Sequence, residues 1–231
     1  MGNNDELKGE LLAASIHEIK NRLGLMFGEL DDVLSAVNLS KDQQQQVQRI
    51  KSESQFVSNE LVRVLASYKS LGDDFYANVD QHFAIEFLEE VIARHSYTVA
   101  AHNLHFTLDC NEDVSGFFDN SILFIILDTC IYNSIKAGAL NIKLSATEDE
   151  QFLYLVIDDN GPGFPEELLE GDFSQGSISV ESQSTGLGLF FANKLIQSHK
   201  EADLTGSIQL SNIMGEGNKI SGAKVTLSIP L

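Results

Sequence analysis

The stretch Val156-Ile157-Asp158-Asp159-Asn160-Gly161-Pro162-Gly163-Phe164 decides how the C-terminal two thirds of the chain is read. An apolar run ends in a carboxylate and passes at once into a Gly-x-Gly turn. Glycines at 161 and 163 carry no Cβ, so the backbone there can pass close to a flat ligand. Asp159 is placed to accept a hydrogen bond from an exocyclic amine such as that of adenine. Asn-Gly and Pro also serve strand-ending turns for geometry alone. The stretch therefore takes its meaning from what surrounds it.

Immediately upstream, residues 142–147 and 152–158 alternate as strands, with Glu148-Asp149-Glu150 as the polar turn of a hairpin. Residues 119–138 read as a helix rich in Ile, Leu and Phe, opened by Asp119. Asn133 and Lys136 lie three residues apart on it. A carboxamide oxygen suits magnesium and a lysine suits phosphate, although the pair by itself means nothing. Residues 83–100 read as a further helix, with Ile85, Leu88, Val91, Ile92 and His95 on one face. Downstream, Pro165 to Ser184 is polar and aperiodic, which in a compact domain marks a functional lid. Ser184-Thr185-Gly186-Leu187-Gly188-Leu189 then opens a helix running to His199. Free N–H groups and the positive dipole end at such a start suit a phosphate, and a lone Gly-x-Gly equally marks a tight turn. Residues 225–229 read as a closing strand.

The N-terminal part has a different period. Leu12, Ile16, Ile19, Leu23, Met26, Leu30, Val33 and Val37 alternate by four and three, the spacing of a coiled coil. After a break at Asn38-Leu39-Ser40, with Ser40 as N-cap, a second seam runs through Val47, Ile50, Ser54, Val57, Leu61, Val64, Tyr68 and Leu71. Two such helices form a hairpin, and two hairpins bury their seams as a dimeric four-helix bundle. His17 adjoins the seam residue Ile16 and faces water, with Glu18 beside it and Asn21 one turn on. Imidazole is a nucleophile near neutral pH, and Glu18 can orient the ring or take its proton. An exposed histidine with a helix partner is the plainer alternative for this heptapeptide alone.

Composition sets limits on partners. The 231 residues hold 15 Lys and Arg against 34 Asp and Glu, a formal charge of −19. Residues 1–72 account for −2 of it and residues 73–231 for −17. Such acidity disfavours nucleic acid and anionic lipid. No apolar run reaches the length of a membrane span, and the polar start does not resemble a signal peptide. Two cysteines, Cys110 and Cys130, are too few for a disulfide framework or a zinc site and are expected to be buried small hydrophobes. A reducing, cytoplasmic setting fits. His102 and His105 lack a third ligand nearby and are expected to play a surface or core role.

Taken in order, these segments resemble the sensor histidine kinases of two-component signalling. His17-Glu18-Ile19-Lys20-Asn21 is similar to the H box, Tyr132-Asn133-Ser134-Ile135-Lys136 to the N box, Asp159 to Gly163 to the G1 box and Thr185 to Leu189 to the G2 box. Gly222 to Pro230 is similar to the closing strand of that family's ATP-binding domain. The resemblance implies an α plus α/β chain: a dimerisation and phosphotransfer hairpin over 1–72, a linker over 73–80, and an α/β sandwich ATP-binding domain over 81–231. It implies phosphoryl transfer from Mg-ATP to His17, then to an aspartate on the receiver domain of a response regulator. Glu18 is then the base, and Asn21 positions water for dephosphorylating the regulator. ATP is held by Asn133, Lys136, Asp159, Gly161, Gly163, Thr185, Gly186, Leu187 and Gly188, with magnesium reached by Asn133 through the nucleotide.

Several positions depart from the family pattern. Arg22 stands where a proline is common, and Gly24 and Gly28 follow within the helix. Thr129 replaces the asparagine often found four residues before Asn133. Related ATPases carry a water-activating glutamate there, which weakens an ATPase reading and leaves the kinase reading intact. The lid carries Phe173 and no basic residue; between Lys143 and Lys194 the chain has no Lys or Arg. An alternative that follows from this is a phosphotransfer or scaffold protein with the family fold and little ATP binding. A serine-directed kinase sharing the ATP domain has no need of the His17 hairpin. Few residues precede the hairpin, so the expected input is a separate sensor protein.

Overall fold

The computed structural model describes residues 77–96, 98–99, 103–170 and 187–231, with Leu34, Ser40, Gln43, Gln44, Gln46, Val47 and Ile50 in addition. The hairpin expected over 1–72, with His17, Glu18 and Asn21, lies outside the described residues apart from those isolated positions. Among them, Ser40 and Gln43 form a reciprocal helix cap. The Gln43 amide donates to Ser40 Oγ (3.3 Å), and Ser40 N donates to Gln43 Oε1 (2.9 Å).

The domain is built around β5 (Phe152–Asp159). Its alternation sends Leu153, Leu155 and Ile157 inward, each almost fully buried. Antiparallel to it on one side runs β4 (Asn141–Glu148), in a register that sets Leu144 against Ile157 and Ile142 against Asp159. The turn between them is held by Asp149, whose Oδ1 accepts from Gln151 N (2.8 Å) and Phe152 N (2.9 Å). On the other side β9 (Ile220–Pro230) is also antiparallel, and β8 (Ser207–Met214) pairs with its far edge. β2 (His105–Cys110) joins β4 in parallel. The five strands lie in the order β2-β4-β5-β9-β8.

A parallel pair needs a crossover. Here it is supplied by β3 (Ser115–Phe118) and α2 (Asn120–Lys136). β3 pairs with β1 (Asp80–Phe83) as a separate ribbon, from which α1 (Ala84–Arg94) departs. α3 (Glu166–Glu170) follows β5, and α4 (Leu187–Ile196) leads through the short ribbon of β6 (Lys200–Glu201) and β7 (Leu204–Thr205) into β8. α1, α2 and α4 cover one face of the sheet, making a two-layer α/β sandwich.

α2 is the central helix. Ile122, Leu123, Phe124, Ile126, Leu127, Cys130 and Ile131 are buried on most of its circumference, as expected of a helix between a sheet and two neighbouring helices. Burying a side chain such as Leu127 stabilises the fold by about 1.5–3 kcal/mol. The opposite face of the sheet is polar, with Lys143 Nζ 2.6 Å from Asp109 and Lys224 Nζ 3.4 Å from Asp158.

Three expectations needed adjustment. The helix expected over 83–100 is α1, Ala84–Arg94, because His95 turns out of it as the C-cap and its Nε2 reaches Asp128 Oδ1 at 2.9 Å. β1, β2, β3, β6, β7 and β8 were not anticipated, nor was α3 within the stretch read as aperiodic; all but β8 are short, and β8 mixes polar residues with its apolar ones. Cys130 is buried, whereas Cys110 is half-buried, its Sγ 3.3 Å from the Asn111 carbonyl. Partial burial, with the Asp109 charge adding to it, pushes the Cys110 thiol above its usual pKa.

Candidate functional site

β5 delivers Asp159 to the edge of the sandwich, where three elements meet on one carboxylate. Its Oδ1 accepts from Gly161 N (2.8 Å) and from Ala223 N on β9 (3.2 Å). Its Oδ2 accepts from Ser134 Oγ on α2, a short bond of 2.5 Å. A carboxylate has about four lone-pair directions, so three bonds orient it and leave one free.

The turn that follows is held just as closely. Asn160 Oδ1 accepts from both Leu140 N and Asn141 N at 2.9 Å, tying the turn to the start of β4. Gly163 has φ +83°, the left-handed region that favours glycine. A Cβ there would lie 2.5 Å from Ile220 Cγ2 and 2.7 Å from Asn212 Oδ1. Phe164 N donates to Asn212 Oδ1 (2.6 Å), and Asn212 Nδ2 donates to Phe164 O (2.9 Å).

α2 places Asn133 and Lys136 in its last turn, next to Ser134 and hence beside Asp159. The helix itself is aimed by Asp119, its N-cap, whose Oδ1 accepts from Ser121 N (2.9 Å) and Ile122 N (3.2 Å). Asp119 N donates to Nε2 of His199, a residue only 2% exposed beyond the end of α4. Burial is the main cause of a His199 pKa below the ordinary value, so the ring is the neutral acceptor that this bond requires. Thr129 is buried with its hydroxyl donating to Ile125 O at 2.7 Å. Neighbouring Asp128 is engaged with His95.

The sequence-predicted residues are thus gathered unequally. Asp159, Gly161 and Gly163 share one turn, and Asn133 and Lys136 adjoin it through Ser134. Leu187 and Gly188 open α4, which packs on α2. Thr185 and Gly186 lie outside the described residues. Ser134, Ala223 and Asn212 were not anticipated. Ser134 carried a signal, since it follows Asn133 directly; Asn212 carried none, being 48 residues from the loop it holds.

Cations are scarce here. Lys194 Nζ lies 5.9 Å from the centroid of the Phe190 ring on α4. Among the described residues there is no cluster of three His, Cys, Asp or Glu able to hold a metal. Asn133 offers one neutral oxygen. That donor set fits magnesium carried largely by ligand phosphates and water, which is how this ion is usually bound.

Comparison with known proteins matches residues 118–231 to the family described as histidine kinase-, DNA gyrase B- and HSP90-like ATPases. The sensor histidine kinase WalK of Bacillus subtilis is 23% identical over 230 residues, covering 94% of this chain and 36% of that protein. Residues 118–231 thus belong to the histidine kinase-, DNA gyrase B- and HSP90-like ATPases, and the chain as a whole is similar to sensor histidine kinases. Another relative, the sensor-type histidine kinase PrrB of Mycobacterium tuberculosis, is 27% identical over 229 residues, covering 96% of this chain and 47% of the relative. The chain spans less than half the length of the curated histidine kinases it matches. A solved structure of histidine kinase ThkA in complex with the response regulator protein TrrA superposes with a TM-score of 0.55 at 22% identity, covering 97% of this chain and 62% of that one. At that identity the likeness speaks for the histidine kinase fold. Among the described residues no helix is long and apolar enough to cross a membrane.

Proposed function

We propose that this chain is the phosphotransfer and ATP-binding portion of a protein-histidine kinase, transferring the γ-phosphoryl group of ATP to His17 and then to an aspartate of a response regulator. The observation that carries the reading is the Asp159 carboxylate. It is oriented by Gly161, Ala223 and Ser134 beside the helix bearing Asn133 and Lys136, with one acceptor direction left for the amine of adenine. Gly161 and Gly163 let the turn pack against its own neighbours, Gly163 in the left-handed region, and so shape the surface offered to the base. Asn133 and Lys136, with the start of α4 at Leu187 and Gly188 and the preceding Thr185 and Gly186, take the phosphates. Magnesium travels with the nucleotide and neutralises its phosphate charge.

Phosphoryl transfer depends on in-line positioning and charge neutralisation more than on covalent help. The His17 imidazole attacks the γ-phosphorus, the bond to the β–γ bridging oxygen breaks, ADP leaves, and Glu18 accepts the ring proton. Asn21, on the same helix face, positions water when the phosphorylated regulator is hydrolysed. The ThkA–TrrA complex supports a regulator as the acceptor. A homodimer through residues 1–72 is supported by the two heptad seams.

The test is incubation with labelled ATP and magnesium, comparing wild type with His17→Gln. Acid-labile, alkali-stable label present in the wild type and absent from the variant is expected. Acid-stable label, or label retained by His17→Gln, would overturn the assignment. No label together with no ATP binding would favour the phosphotransfer-scaffold alternative.

A further inference from the structure

The Gly161–Gly163 turn is anchored at both ends by two residues that face each other across one ladder. Ala223 on β9 donates its amide to Asp159 at the entry, and its register partner on β8, Asn212, holds Phe164 at the exit. The exit contact is two-sided. Asn212 Oδ1 accepts from Phe164 N at 2.6 Å while Nδ2 donates to Phe164 O at 2.9 Å. A side chain thus makes the pair of bonds that a strand neighbour would make, and it does so from an edge strand.

We propose that Asn212 is a positioning residue of the nucleotide site, holding the exit of this turn in the shape that receives the base. The proposal rests on the nucleotide reading above and adds to it a residue outside all four boxes. The chemistry selects the side chain. A carboxamide has an acceptor and donors fixed in one plane, a carboxylate has no donor, and a hydroxyl has a single oxygen for both tasks. Gly163 cannot relax independently, because Ile220 and Asn212 fill the space beside its left-handed backbone. Freeing Phe164 therefore frees the turn, and binding must then bear the cost of ordering it. Phe164 packs against the hydrophobic core and is followed by Pro165 and α3, so the same clamp sets where that helix begins.

The clamp touches no reacting atom, which predicts a divided kinetic effect. In the full chain, Asn212→Asp and Asn212→Ala should each raise the Kd and KM for Mg-ATP about tenfold, the scale expected when two hydrogen bonds are lost, with kcat within about twofold. Exchange of the Phe164 amide hydrogen, followed by NMR, should be slow in the wild type and fast in both variants. Asn212→Asp is nearly isosteric and carries the test should alanine fail to fold. A Kd within about twofold of wild type, or unchanged Phe164 exchange in Asn212→Asp, would overturn the proposal. If instead the wild type binds no ATP, the nucleotide reading itself falls, and this inference with it.

Discussion

Gly222 shows how one residue ties the sheet to the site. A Cβ on it would collide with the backbone carbonyl oxygen of Asp159, and backbone cannot swing aside as a side-chain tip can. Gly222→Ala should therefore push the end of β5 away from β9, at a cost of about 3 kcal/mol, the upper end of ordinary overpacking. Because the Ala223 amide bond to Asp159 is stretched by the same shift, ATP affinity should fall as well. Urea unfolding and an ATP titration check both; an unchanged unfolding midpoint would show that β9 simply moves. Asp159 itself was legible, since a carboxylate before Gly-x-Gly at the end of an alternating run is a local pattern. Of its partners Gly161 is local, Ser134, 25 residues away, was marked only by its place after Asn133, and Ala223, 64 away, by nothing nearby.

Among the elements, α2 carries both the centre of the core and the Asn133–Lys136 pair, so whatever aims this helix aims the site. Asp119 does so from the N-terminus, with Asn78 N donating to its second oxygen (3.0 Å) and its own amide bonded to His199. The fold needs His199 neutral, since its Nε2 is an acceptor, and burial depresses its pKa below the ordinary 6.5. Below about pH 6.5 the unfolded chain takes up this proton before the folded one does, so stability is full above that pH and declines below it. His199→Gln keeps an acceptor near the Nε2 position and removes the titration. Its stability should fall less steeply than the wild type's between about pH 7 and pH 5, as read from urea midpoints. Equal slopes would mean that other groups govern the decline. An apolar run opened by Asp119 made α2 and its cap readable in advance, whereas the His199 contact joins residues 80 apart and leaves no local trace.

At the scale of the whole molecule, a domain with a formal charge of −17 over residues 73–231 is proposed to bind a polyanion. The diffuse field opposes the ligand and is screened beyond a Debye length, which shrinks from about 30 Å at 0.01 M salt to about 8 Å at 0.15 M. Affinity for Mg-ATP should therefore rise over that interval, measured calorimetrically at fixed free magnesium. A steady fall would show that attraction by nearby cations such as Lys136 outweighs the field. Local order was the part open to reading along the chain. Alternating strands, a helix opened by Asp119 and a carboxylate before Gly-x-Gly determined the α/β sandwich, because each depends on residues within a few positions of one another. Tertiary structure alone decided how Asp159 is oriented, where Gly222 must lie and what holds Phe164. Those contacts link β5, α2, β8 and β9 across 25 to 64 residues of chain. Hydrogen bonds of that span follow from strand order and register, which no single segment specifies.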